Sequence, residues 1–379
     1  MSKLKFDLAA HTLLLTVAGS RAYGMALPTS DVDLKGVAQP PLATVLTSDF
    51  QHADHPDQMA AFLGVLKPAE QRIAEKTKLE GSVYALRKFV RLAVECNPHI
   101  LDVLFCRDEE VRLCSPIGEE LREFAPKFLS LRARHSFGGY ARSQLKRIQT
   151  HRKWLLHPPA SAPSRADFGL PERPVMPKDE LEACRAAVEK QLARWTIDVT
   201  HLDKATAQGI HDAMTETLVE RDLAENAYQQ AANWVGLSPL MTETLRKERL
   251  YRAEKTHFRQ FLHWQKHRNP ERAALEAHHG FDTKHASHLV RLMRMAIEIM
   301  TTNRVRVWRG DQDADELLAI RQGAWSFEEL MAFTVRTEQT LQEVASQSSL
   351  PTQPDRDAIQ AALEQWTLKL AKQDAMIQL

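Results

Sequence analysis

Residues 13–18, LLLTVA, form an apolar run broken by one threonine, and residues 32–37, VDLKGV, alternate apolar and polar positions. Both are short, β-rich and bounded by Gly, Pro, Ser or Asp, which predicts two strands joined by a turn. From about Val83 the spacing becomes helical, with Leu86, Phe89, Val90 and Ala93 on one stripe. Asn97-Pro98 then starts a new element, because proline suits a first helical position after a capping asparagine. Six of the chain's 18 prolines fall between Pro158 and Pro177, so this stretch predicts a loop. Residues 179–203, 205–233, 241–267, 283–301, 313–322, 326–347 and 356–375 carry apolar side chains at three and four spacing and predict helices. The pattern divides the chain into an α/β head over 1–125 and a mostly helical body over 126–379, with the Pro-rich loop at 158–177 inside the body.

The second strand carries unexpected chemistry. Successive side chains of a strand alternate faces, so Asp31 and Asp33 share one side while Val32 and Leu34 anchor the other in the core. Two carboxylates so placed repel, and a divalent cation relieves the cost. Mg²⁺ fits, because it takes few protein carboxylates and fills its remaining positions with water and substrate phosphates. Gly19-Ser20 ends the preceding strand, where glycine lets the backbone approach a ligand and serine with backbone N–H groups holds phosphate oxygens. An isolated pair of aspartates at this spacing reads better as edge-strand charges or turn residues. The ordered set of strand, Gly-Ser, a ten-residue spacer ending in Ser30, and Asp-apolar-Asp-apolar is what points to nucleotidyl transfer.

Bulk composition adds little. The 379 residues hold 50 basic and 49 acidic side chains, so attraction to a polyanion must come from local patches. Four cysteines without CxxC pairing fit a reducing compartment and supply no zinc site. No apolar run approaches a membrane span, and a cytoplasmic protein with no membrane partner is expected.

Local charge does add something. From Phe124 to Ala166 there is no acidic residue but nine Lys or Arg. Within that segment Ala141, Leu145, Ile148 and Leu155 form an apolar helix stripe, and Tyr140, Gln144, Arg147, His151 and Trp154 form another. Arg147 is its candidate phosphate ligand, with the aromatic members assigned to packing; a solvated basic face is the competing reading. The helix after Asp282 is apolar almost all round, yet Lys284, His288, Arg291 and Glu298 share one stripe. Buried charge needs a partner. Lys284, His288 and Arg291 either face phosphates or join an ion-pair network in which Arg291 or Arg294 meets Glu298. His278, His279, His285 and His288 lack a completing carboxylate or cysteine pattern, so zinc is not expected. The stretch LRKERLYRAEKTHFRQFLHWQKHR reads first as a solvated amphipathic helix and second as an RNA contact.

GSRAYGMALPTSDVDLKG resembles the signature of the DNA polymerase beta nucleotidyltransferase superfamily, in particular the RNA repair pathway DNA polymerase beta family (RlaP). The resemblance extends in blocks to about residue 330, through VYALRKFVRLAVECNPHILDVLF, FGGYARSQLKRIQTHRKWLL and GFDTKHASHLVRLMRMAIEIM. It implies an α+β protein, a polymerase-beta-like head with a small mixed sheet followed by a mostly helical body. It implies that Asp31 and Asp33 carry Mg²⁺ or Mn²⁺, with Glu80 as third carboxylate and Asp102 as the fallback. Gly19, Ser20, Arg21 and Ser30, with Arg147, Lys284, His288 and Arg291, would hold the nucleoside triphosphate. The implied activity is transfer of a nucleoside monophosphate to an acceptor hydroxyl, with an RNA end as partner. A protein-modifying nucleotidyltransferase and a non-catalytic RNA-binding protein are the alternatives.

Overall fold

The computed structural model describes residues 4, 6–47, 50–77, 79–174, 177, 179, 182–184, 186–188, 190 and 235–377. The helix expected at 205–233, and most of that at 179–203, lie outside them.

The head opens with strand β1 (Thr12–Ala18), a single helical turn α1 (Gly19–Ala22) and β2 (Asp33–Ala38). Helix α2 (Leu42–Thr47), β3 (His52–Ala53), α3 (Pro56–Met59), α4 (Pro68–Ala74) and β4 (Glu80–Ala85) follow. Then come α5 (Leu86–Val94), α6 (Pro98–Leu104), β5 (Val111–Cys114) and α7 (Pro116–Phe124). The strands form one mixed sheet in the order β3-β4-β2-β1-β5, with β2 and β4 parallel and the other pairs antiparallel. Sequence patterning placed Val83 in a helix, whereas Glu80–Ala85 is a strand and the helix begins at Leu86. Val83 and Tyr84 are good strand formers, and pairing along β2 gives this segment a ladder that periodicity over so short a run cannot reveal.

Every residue of β1 is buried, which explains its unbroken apolar run. The sheet has a core on each face. Leu15, Val17, Val32 and Leu34 pack with Met59, Phe62 and Val83 on one side. On the other, Leu14 and Val37 join Phe89, Phe137, Leu289, Val290 and Met293. Since Asp33 and Lys35 alternate with Val32 and Leu34, they share the face of Val37.

The helices continue with α8 (Arg132–Leu156), α9 (Pro239–His267), α10 (Pro270–His279), α11 (Thr283–Thr302), α12 (Ala314–Arg321), α13 (Phe327–Gln347) and α14 (Arg356–Ile377). The chain divides into two compact units, one of residues 1–156 with 269–379, the other of 157–268. In the first, α11 packs against α8, α12 and α13, with twelve of its twenty residues buried, as expected of a helix apolar on nearly all sides. Asp282 caps it, accepting from the His285 N–H at 3.0 Å. In the second unit, α9 starts at a Ser238 cap and buries Leu245, Glu248 and Phe261. Glu248 receives the Arg165 guanidinium at 2.5 and 3.2 Å, so this helix is not wholly a solvated one. Among the described residues no helix is long and apolar enough to cross a membrane.

Candidate active site

Sheet register brings the acidic residues together. Ala18 pairs with Asp33 across β1 and β2, and Asp33 pairs with Glu80 across β2 and β4. Directly paired residues of adjacent strands project to the same side, about 5 Å apart. Asp33 therefore stands between the Gly19 bend and Glu80. Asp31 precedes the strand and is exposed, Asp33 is half-buried, and Val32 and Leu34 between and after them are fully buried. Burial first, and then the charges of Glu80 and Asp31, push the Asp33 carboxyl above its ordinary range, opposed by Lys35 and Lys284. Like charges this poorly compensated fit a divalent cation, and the all-oxygen donor set suits Mg²⁺ or Mn²⁺.

Gly19 is required at the bend twice over. Its φ is +64°, and a methyl group there would overlap the Asp33 carboxylate. Among the described residues the Ser20 hydroxyl has no hydrogen-bond partner, and it starts a helical turn whose first N–H groups have no intrahelical acceptor. Arg21 and Ser30 have other commitments. The Arg21 guanidinium donates to the Ser30 and Asp31 carbonyls at 2.7 and 3.2 Å, and the Ser30 hydroxyl accepts from the Leu27 N–H at 2.9 Å. Both residues shape the 27–31 turn that presents Asp31.

Asp102 lies deeper. It is 2% exposed, and its Oδ2 accepts from the Tyr23 hydroxyl at 2.5 Å, while Oδ1 has no partner among the described residues. The Arg291 guanidinium stacks 3.6 Å over the Tyr23 ring and donates to Met295 Sδ at 3.0 Å. Lys35, on the same strand face as Asp33, lies in this cluster; burial lowers its ammonium pKa, and Asp102 and Asp33 oppose that shift. Burial, reinforced by Lys35, holds His99 down to about 4, so its ring is neutral. Register thus sets Glu80 beside Asp33, and the Tyr23–Asp102–Lys35–Arg291 cluster underpins the face behind them.

Helix α11 covers the sheet face that carries these groups. Lys284, in its first turn, feels both Asp33 and Asp31; burial and the charges of Arg272 and Arg321 nonetheless lower its pKa. His288 is held neutral, well below its ordinary value, by burial and by Arg291. Arg147 is exposed on α8, close enough for its charge to act on His285. Tyr140 accepts from Asn97 Nδ2 at 2.8 Å, and Trp154 is buried and stacked on His151, which makes both packing residues.

Two charge assignments differ from the sequence reading. Arg294 pairs with Asp313 and Glu316, each at 2.8 Å, and Glu298 is taken bidentately by the fully buried Arg309 at 2.7 and 2.8 Å. A ladder between helices, set by loop geometry, displaced the pairing that spacing along one helix suggested. A carboxylate also does join the histidines: ligand atoms of His151, Asp282 and His285 lie within 4.8 Å of one another. Asp282 Oδ2 is already engaged by the Arg272 guanidinium and Oδ1 by the helix cap. Burial alone would raise the Asp282 carboxyl, but His151, His285 and Arg272 hold it well below the carboxylate range. Sequence reasoning missed Arg321, at the end of α12. Burial and Arg272 lower its pKa, and only the tertiary fold reveals those neighbours.

No curated protein and no solved structure matches this chain. Residues 2–157, which contain the Gly19 bend and the carboxylates Asp31, Asp33 and Glu80, match the family model of RlaP, the RNA repair pathway DNA polymerase beta family.

Proposed function

We propose that this protein is a metal-dependent nucleotidyltransferase that moves a nucleoside monophosphate from a nucleoside triphosphate to an acceptor hydroxyl at an RNA end. The observation that carries the reading is the register that sets Asp33 between Ala18 and Glu80 at one end of three adjacent strands, with Gly19 against the Asp33 carboxylate. Asp31, Asp33 and Glu80 would hold Mg²⁺ or Mn²⁺, which when bound neutralises charge on the reacting phosphate and lowers the pKa of the acceptor hydroxyl. Gly19 and Ser20 hold phosphate oxygens through backbone N–H groups and the open hydroxyl. Arg21 and Ser30 act one step back, fixing the turn on which Asp31 sits. Lys284, close to both aspartates, draws the polyphosphate toward the acidic edge. Arg291 and neutral His288 line the same face and support it from behind. Arg147 and the acid-free segment around it offer the RNA a positive surface.

The test is incubation of the full chain with each α-labelled nucleoside triphosphate, Mg²⁺ or Mn²⁺, and either total RNA or a protein lysate. Label in RNA is the expected result. Label confined to protein would establish modification of a protein hydroxyl instead, and RNA binding with no label under any metal would leave an RNA-binding protein that keeps the fold.

A further inference from the structure

Three arginines around α11 are paired with acids. Arg272 meets Asp282 and Glu276, Arg294 meets Asp313 and Glu316, and Arg309 meets Glu298 and Asp313. Two neighbouring cations differ from these. The Arg321 guanidinium and the Lys284 ammonium have no hydrogen-bond or ion-pair partner among the described residues, although Arg321 is half-buried. A hydrogen bond of 2.7 Å from the Thr283 hydroxyl to the Arg321 carbonyl ties the end of α12 to the first turn of α11. The Ser287 hydroxyl repeats the tie one turn on, to the Leu317 carbonyl at 2.8 Å. The place of Arg321 beside Lys284 is therefore fixed by backbone contacts that do not involve its charge.

A guanidinium partly withdrawn from water, with only like charges nearby, destabilises the fold unless an anion completes it. Lys284 lies on the stripe of α11 that carries Arg291, whose guanidinium stacks on the Tyr23 ring, and the charges of Asp31 and Asp33 act on it. The acids at the strand ends thus act on one of these two unpaired bases, and a group able to satisfy both signs is a polyphosphate bound with a divalent cation.

We propose that Arg321, together with Lys284, is the binding site for the departing pyrophosphate, so that helices outside the family-matched segment complete the active site of the head. This rests on the nucleotidyltransferase reading above. As the acceptor oxygen bonds to the α-phosphorus and the hydroxyl proton passes to water, the bond from that phosphorus to the bridging oxygen breaks. The bonding pair stays on the pyrophosphate. The new charge develops beside Arg321, whose planar fork meets two phosphate oxygens at once, while Lys284 supplies a point charge between pyrophosphate and carboxylates.

The test is calorimetric titration of the full chain, in Mg²⁺, with inorganic pyrophosphate, with ATP and with AMP. Arg321→Ala is expected to weaken pyrophosphate and ATP about tenfold or more, the scale of a lost charge-assisted contact, and to leave AMP unchanged. Arg321→Lys should fall between, and Arg336→Ala, which removes an exposed charge on α13, should bind as wild type. Unchanged pyrophosphate binding in Arg321→Lys and Arg321→Ala, or an equal loss in Arg336→Ala, overturns the assignment. Wild-type binding of ATP without pyrophosphate overturns it alone, and wild-type binding of neither overturns the nucleotidyltransferase reading with it. Should Arg321→Ala fail to fold by circular dichroism, the lysine variant decides.

Discussion

The acidic edge of the sheet and the basic wall of helices are built by different means. On the edge, Gly19, Asp33 and Glu80 take their places from strand register, which is local between neighbours and set by backbone hydrogen bonds. On the wall, Lys284, Arg321, Arg147 and Arg291 come from three helices remote in sequence, and their relations depend on packing and on loop lengths. Each side alone is unfavourable: clustered carboxylates repel, and so do clustered cations. The difference teaches that the two sides are complementary in charge, and under the proposed function a metal-bound polyphosphate would satisfy both.

The comparison breaks most sharply at Asp33. Asp33→Asn removes the carboxylate flanked by both neighbours, and metal-dependent transfer is expected to fall about a thousandfold or more, the range lost with one strong electrostatic stabiliser. Because the wild-type carboxyl is raised by burial and by Glu80 and Asp31, its ionised form opposes folding above its folded-state pKa. The variant should melt no lower than wild type at neutral pH, and added Mn²⁺ should raise the wild-type melting temperature more than the variant's. A variant with wild-type rates would sink the assignment of the edge.

A smaller effect is expected one strand away. Gly19→Ala forces a side chain into a positive-φ position and against the Asp33 carboxylate, at a cost of about 1–2 kcal/mol in backbone strain alone. Displacing Asp33 should lower kcat about a hundredfold, as small misplacements of reacting groups do. Melting curves and steady-state rates measured together separate the two losses; a stable variant with unaltered kcat would show that the bend does not position Asp33.

The smallest effect lies in the wall. Burial holds the His285 imidazole down to about 3, so the unfolded chain binds its proton near pH 6.5 while the folded chain does not. Stability should therefore be full above about pH 6.5 and decline as the pH falls toward the folded value. Thermal melts of wild type and His285→Asn across that range should converge as the acid limit is approached, and parallel curves would remove His285 from the account.

The family-bearing head was legible because its signal is local. An apolar strand, Gly-Ser and two aspartates at period two lie within twenty-five residues, and alternation on a strand fixes which of them share a face. Long helices such as α11 and α13 were legible for the same reason, their apolar period being sustained over many turns. The short strand β4 was not, since a six-residue run carries too little period to distinguish it from the helix that follows. Arg321 escaped because nothing in its own helix, ADELLAIR, marks its guanidinium as unpaired.

By itself the sequence determined the alternation along the first two strands and the long helices, and it marked Gly19, Asp31 and Asp33 as candidates. Tertiary structure alone decided that Glu80 stands beside Asp33, that Asp102 is turned to Tyr23, and that the helices of 269–379 join the head in one unit across the intervening 157–268. The physical reason is range. Steric and periodic rules act between residues a few positions apart, whereas register between strands and the pairing of charges between helices emerge only when burial has chosen which faces meet.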